Sequence, residues 1–162
     1  MKITKVWAVY FSPTGNAKKV VTTMAKRAAE CLGVPMGTDD YTHPGNREGV
    51  VRIDKEDLAF FSTAVYGLIE LRNELEAHGF HTVAGAGIPT EHVFSSKLAT
   101  GRPDADDLVK IAEFGEKVAE KVSGLTEIPE KIAVRGDDPV GAYYTPLGTD
   151  GKPAVFLKAK PK

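Results

Sequence analysis

Residues 11–16, Phe11-Ser12-Pro13-Thr14-Gly15-Asn16, place two hydroxyls, a carboxamide and a glycine in one short loop. The chemistry this set suits is the holding of an anion by neutral donors. Ser12, Thr14 and Asn16 offer short hydrogen-bonding side chains, and Gly15 lets the backbone approach a ligand closely. The loop follows an apolar run, residues 6–11, that reads as a buried parallel strand, and it opens directly into a helix. At that place unpaired backbone N–H groups and the helix dipole attract negative charge. Ligands of open parallel sheets also bind there, beyond the carboxyl ends of the strands. The Gly-Lys-Ser/Thr of a nucleoside-triphosphate loop is absent, which argues against ATP or GTP hydrolysis. Lys18 and Lys19 stand in the first helical turn, where a cation is disfavoured by about 0.3–1 kcal/mol. A bound phosphate would turn that penalty into attraction; plain solvation of both is the equal alternative.

Other chemistry-bearing residues are weaker candidates. The single cysteine, Cys31, excludes an internal disulfide framework and a cysteine-ligated zinc or iron–sulfur site. It falls on the apolar stripe of the first helix, where it is expected to serve as a small buried hydrophobe. Gly85-Ala86-Gly87 lacks the third glycine of a dinucleotide fingerprint, and Pro89 spoils the helix start that such a motif needs. His92 beside Glu91 follows an expected strand and could face the cleft, although a solvated loop histidine is the common case. Asp39-Asp40, Asp106-Asp107 and Asp137-Asp138 are adjacent pairs, so their carboxylates do not face one another on a strand or helix. No Ser/His/Asp or Cys/His arrangement is legible; no catalytic residue and no metal ligand is nominated.

The elements that must position the loop are those of one α/β domain spanning 1–162. After the first strand, Val20, Val21, Met24, Ala25, Ala28, Cys31 and Leu32 share a helical face, and Gly33 with Pro35 stops the helix. A weak strand is expected near 37–41 and a second apolar run covers 58–65. Leu68, Leu71 and Leu75 then mark a short helix with Glu70, Arg72, Glu74 and Glu76 outside, closed by Gly79. Residues 80–88 read as another strand. Asp104 is the expected N-cap of a long helix with Leu108, Ile111, Gly115, Val118 and Val122 on its core face. Short strand pieces are expected at 131–134 and 154–157. Strands alternating with helices predict a doubly wound parallel sheet in three α/β/α layers. A net charge of −1 gives no electrostatic pull toward nucleic acid or an anionic membrane. No stretch approaches the roughly 20 apolar residues of a membrane span. No secretory signal opens the sequence, so a cytoplasmic location is expected.

Tyr10-Phe11-Ser12-Pro13-Thr14-Gly15-Asn16 resembles the phosphate loop of flavodoxins. The likeness extends to microbial proteins that fuse a flavodoxin-like domain to a ferredoxin domain with two four-iron clusters. Val65-Tyr66-Gly67 is similar to that family's second flavin loop. Glu91-His92, Gly101-Arg102-Pro103-Asp104, Phe114-Gly115, Tyr144-Thr145-Pro146-Leu147-Gly148 and Gly151-Lys152-Pro153 follow as later landmarks in the same order. The resemblance implies a flavodoxin-like fold binding flavin mononucleotide (FMN). Ser12, Thr14, Gly15, Asn16 and Ala17 would then form the phosphate loop, and Tyr66 with Gly67 would lie along the isoalloxazine ring. Three departures accompany it. Ala17 stands where flavodoxins usually have a second threonine. The sequence ends where the family's cluster-binding cysteines would begin, which leaves iron–sulfur chemistry to a separate redox partner such as a ferredoxin. Between Gly67 and Leu68 the family has a further helix, a central strand and a third flavin loop. Here the flanks abut, so the domain is shortened at 67/68 or lacks a segment there.

The first expectation for function is therefore an FMN-binding redox protein that transfers electrons. The alternatives are a flavin-free scaffold serving as an interaction or regulatory module, and an NAD(P)H-dependent FMN reductase of the same fold.

Overall fold

Val6, Ala8 and Tyr10 alternate with Trp7, Val9 and Phe11, and this period of two puts the first three on one face of a strand. That strand, β1 (Lys5–Phe11), is the centre of a three-stranded parallel sheet in the order β2-β1-β3, with β2 at Met36–Asp40 and β3 at Asp57–Thr63. The computed structural model describes residues 2–49, 51–63, 67–92, 97–134 and 152. Val6 pairs with Met36 on one side and with Leu58 on the other. Parallel strands need covered faces, and the apolar runs supply this. Val6, Ala8, Tyr10, Leu58 and Phe60 are all buried in one core cluster with the first helix. On the other face the Trp7 ring lies over Gly37, where a Cβ would come within 2.7 Å of it. Its indole N–H donates to Asp57 Oδ2 at 2.9 Å, joining β1 to β3.

Helix α1 (Asn16–Leu32) buries Ala17, Val20, Val21, Met24, Ala25, Ala28 and Ala29. Helix α3 (Ala105–Ser123) packs on α1, not on the strands, through Ile111, Gly115, Val118, Ala119 and Val122. Gly115 makes this approach: a Cβ there would stand 2.3 Å from the Met24 carbonyl oxygen. Arg27 of α1 reaches across to Glu116 Oε2 at 2.9 Å. Helix α2 (Leu68–Ala77) follows β3. The architecture is thus a small parallel α/β fold.

The structure corrects several expectations. Cys31 is exposed, because the buried stripe of α1 continues through Ala29 toward Leu32 and leaves position 31 outside it. In α2, Ile69 and Arg72 are the buried residues, and Leu68, Leu71 and Leu75 are half-buried. Arg72 tolerates burial because its guanidinium donates to Ile132 O at 3.1 Å and Asn73 Oδ1 at 2.9 Å. Residues 80–88 and 131–134 form no strand. The outer edge of β3 has no strand beside it among the described residues. A cavity of about 1140 Å³ is lined there by residues of β3 and of 78–92, and on the helix side by Val21, Met24, Phe114 and Val118. The expected strand at 154–157 lies outside the described residues.

Candidate functional site

The loop between β1 and α1 is organised by Ser12. Its carbonyl accepts from Gly15 N–H at 3.1 Å, and its Oγ accepts from Lys18 N–H at 2.9 Å. Its own N–H donates to Thr42 Oγ1 at 3.0 Å. The N–H, the carbonyl and the hydroxyl oxygen of Ser12 are thereby engaged, and the residue is buried, 7% exposed. Gly15 turns the chain at φ +83°, a left-handed conformation that favours glycine, and nothing lies within 4 Å of where a Cβ would stand. Its carbonyl accepts from Lys19 N–H and starts the helical ladder.

This bonding leaves a defined set of donors. The N–H groups of Thr14, Asn16 and Ala17 have no protein acceptor among the described residues. The Ser12 hydroxyl, whose oxygen accepts from Lys18 N–H, has no acceptor for its own proton among the described residues either. Thr14 is exposed, Asn16 half-buried, and the Ala17 side chain buried, so position 17 contributes its N–H alone. The arrangement fits an anion: three open N–H groups at the positive end of a 17-residue helix, beyond the carboxyl end of the central strand. The sequence placed these residues together, and the structure brings them together.

The two lysines have specific places. Lys19 Nζ donates to Pro103 O at 2.8 Å, tying the first turn of α1 to the segment that leads into α3. Lys18 Nζ stands 5.8 Å from the centre of the Tyr10 ring and attracts the Asp40 carboxylate. Lys19 is thus a tie between helices as well as a nearby charge, a role its position in the sequence did not suggest.

On the far side of the loop a second set of ties forms. Glu91 N–H donates to Arg102 O at 3.0 Å, Glu91 Oε2 accepts from Gly101 N–H at 3.2 Å, and His92 N–H donates to Leu98 O at 3.2 Å. The Arg102 guanidinium pairs with the buried Asp107 carboxylate and holds its pKa down to about 2. Asp104 and Asp107 exchange side-chain-to-backbone bonds at 2.9 and 3.1 Å and cap α3 as expected. Glu91, His92 and residues 101–104 therefore act as a brace for α3. Glu91 and His92 also line the cavity, whose wall continues to Pro13, Thr14, Asn16 and Ala17 of the loop.

Gly67 is exposed at the start of α2, and its N–H donates to Glu70 Oε2 at 3.2 Å. Tyr66, expected beside the flavin ring, lies outside the described residues, as do residues 144–148. A second hollow of about 690 Å³ lies beside Val9, Phe11, Tyr41, Phe61 and Phe80, where Phe61 and Phe80 meet edge to face at 5.0 Å. At its rim the Tyr41 hydroxyl bonds Asp39, which pushes the tyrosine pKa up.

Asp40 and Thr42 are the residues that sequence reading missed. Residues 36–57 read as polar and turn-rich, and nothing in their spacing points thirty residues back to Ser12. The only signal was the Asp-x-Thr pattern of a strand end, common in turns. No helix among the described residues is long and apolar enough to cross a membrane. Compared with protein-family models, with curated proteins and with solved structures, the chain finds no match.

Proposed function

We propose that this protein is a flavodoxin-like redox protein that binds FMN noncovalently and transfers electrons to a separate partner protein. The observation that carries the reading is the loop at residues 12–17: three backbone N–H groups without acceptors among the described residues, gathered at a helix N-terminus beyond the carboxyl end of the central strand. Donors of this kind suit a phosphate monoester and need no cation. The apolar cavity that begins at the loop offers room for the rest of the cofactor.

In this reading Thr14, Asn16 and Ala17 hold the phosphate through their N–H groups, with the Ser12 hydroxyl and the Thr14 and Asn16 side chains as further donors. Gly15 keeps the turn open enough for the oxygens to approach. Gly67 and Tyr66 would border the ring. FMN supplies the one- and two-electron chemistry when bound, and the protein supplies binding, exclusion of water and the local field. None of its side chains is assigned a proton-transfer or nucleophilic role.

The test is a fluorescence titration of the folded protein with FMN and, as a control lacking the phosphate, riboflavin. Saturable quenching by FMN at least tenfold tighter than by riboflavin supports the reading. Absence of binding by either overturns it. A flavin-free interaction module is then the better account, a reading favoured by the outer edge of β3, which has no strand beside it among the described residues and borders a cavity.

A further inference from the structure

The FMN reading leaves unexplained why Ser12 is held so firmly, with both its N–H and its carbonyl committed to the protein. The answer lies at the end of β2. Thr42 Oγ1 accepts from Ser12 N–H at 3.0 Å, and Asp40 Oδ1 accepts from Thr42 N–H at 2.9 Å. Hydrogen bonding to Thr42 is the main reason the Asp40 carboxyl sits below the usual carboxylate range.

Asp40 Oδ1 holds the Thr42 N–H in a tight turn two residues on, and so aims the Thr42 hydroxyl oxygen at Ser12 N–H. Thr42 in turn fixes the plane of the peptide that enters the loop. The remaining two polar groups of Ser12 fix Gly15 N–H and Lys18 N–H. Between those anchors lie the three N–H groups that remain open.

We propose that Asp40 and Thr42 are positioning residues for the anion loop: a carboxylate at the end of β2 that holds the turn beyond it, and a hydroxyl in that turn that pre-organises the donors at residues 14, 16 and 17. Neither residue touches the phosphate. Their effect is to hold the loop in its binding shape before the ligand arrives, so that binding need not order it. Lys18, which faces Asp40, keeps that carboxylate's charge from repelling an anion at the loop.

The experiment has two readouts on the full chain. The first needs no ligand: amide hydrogen exchange at Ser12 in the unloaded protein. Removing one acceptor is expected to speed Ser12 exchange about tenfold in Thr42→Val, and Thr42→Ser should restore it to within about threefold. Asp40→Asn, close to isosteric, replaces the charged acceptor of Thr42 N–H by a neutral one and loosens the turn that aims the Thr42 hydroxyl, so it should also speed Ser12 exchange. The second readout rests on the FMN reading. The preference for FMN over riboflavin should fall about tenfold in Thr42→Val and stay near the parent value in Thr42→Ser. Unchanged Ser12 exchange in both Thr42→Val and Asp40→Asn overturns the proposal, as does a preference that survives Thr42→Val. If Thr42→Val does not fold, Asp40→Asn carries both readouts. If the parent protein binds neither flavin, the FMN reading fails by itself, and the exchange data still decide whether Asp40 and Thr42 hold the loop.

Discussion

The two sides of β3 differ in how much of the chain's apolar patterning has been turned into packing. On one side, Val6, Ala8, Ala25 and Ala28 are fully buried, and Gly115 lets α3 press on the backbone of Met24. On the other, residues 78–92 hold a comparable apolar run, yet they form no element beyond an isolated bridge at His92. Their ties include the Phe80 ring on Phe61, the Val83 carbonyl accepting from Lys121 Nζ at 2.7 Å, and the bonds of Glu91 and His92 to residues 98–102. The difference is one of partners. A helix satisfies its own backbone, whereas a strand needs a neighbour at about 4.8 Å. The candidate loop belongs to the well-packed side, and only the far wall of its cavity belongs to the other.

The sharpest way to break this comparison is Gly115→Leu. The new side chain has no room against Met24, so a loss of about 3 kcal/mol or more is expected in denaturant unfolding. A change below about 1 kcal/mol would mean that α1 and α3 are not in intimate contact. Next comes a matched pair of truncations. Val21→Ala, at 1% exposure, should destabilise by about 2 kcal/mol, and Val83→Ala on the cavity wall by less than about 0.5 kcal/mol. Equal losses would show that residues 78–92 are packed as tightly as the α1 side. Asp104→Ala removes the cap of α3 and should cost about 1 kcal/mol by the same measurement.

The smallest effect is read from pH. Asp107 has its carboxyl lowered from 3.8 to about 2, chiefly by Arg102. A carboxyl with a depressed folded-state pKa binds its proton more readily when unfolded, so it stabilises above the unfolded value. That contribution is complete at neutral pH and is lost as pH falls from about 4 toward 2. Asp107→Asn should flatten this part of the stability profile, and an unchanged slope would remove Arg102–Asp107 from the account.

Much of the α1 side was legible in the sequence because its signals are local. The apolar run at β1, the stripe through Val20, Met24 and Ala28, the stop at Gly33 and the cap at Asp104 each need only a few neighbouring residues to be read. The loop at residues 12–17 was legible for the same reason. What failed depended on distant partners. The run at 80–88 has a strand's composition, but pairing is not encoded in composition. Burial of Arg72 depends on the carbonyl of Ile132, sixty residues away. The roles of Asp40 and Thr42 depend on Ser12, and that of Lys19 on Pro103, eighty-four residues away.

The contact between α1 and α3 has a consequence for how the chain reaches this state. Helices at 16–32 and 105–123 can meet only after residues 33–104 have been drawn into a closed loop. Loop closure is entropically unfavourable before any packing rewards it, so contacts of this span slow the search. The open first turn of α1 and the brace at residues 101–104 meet through Lys19 late in that search, since both helices must already be in place. The tie between Lys19 and Pro103 should therefore form as one of the last events of refolding, well after helical signal has returned.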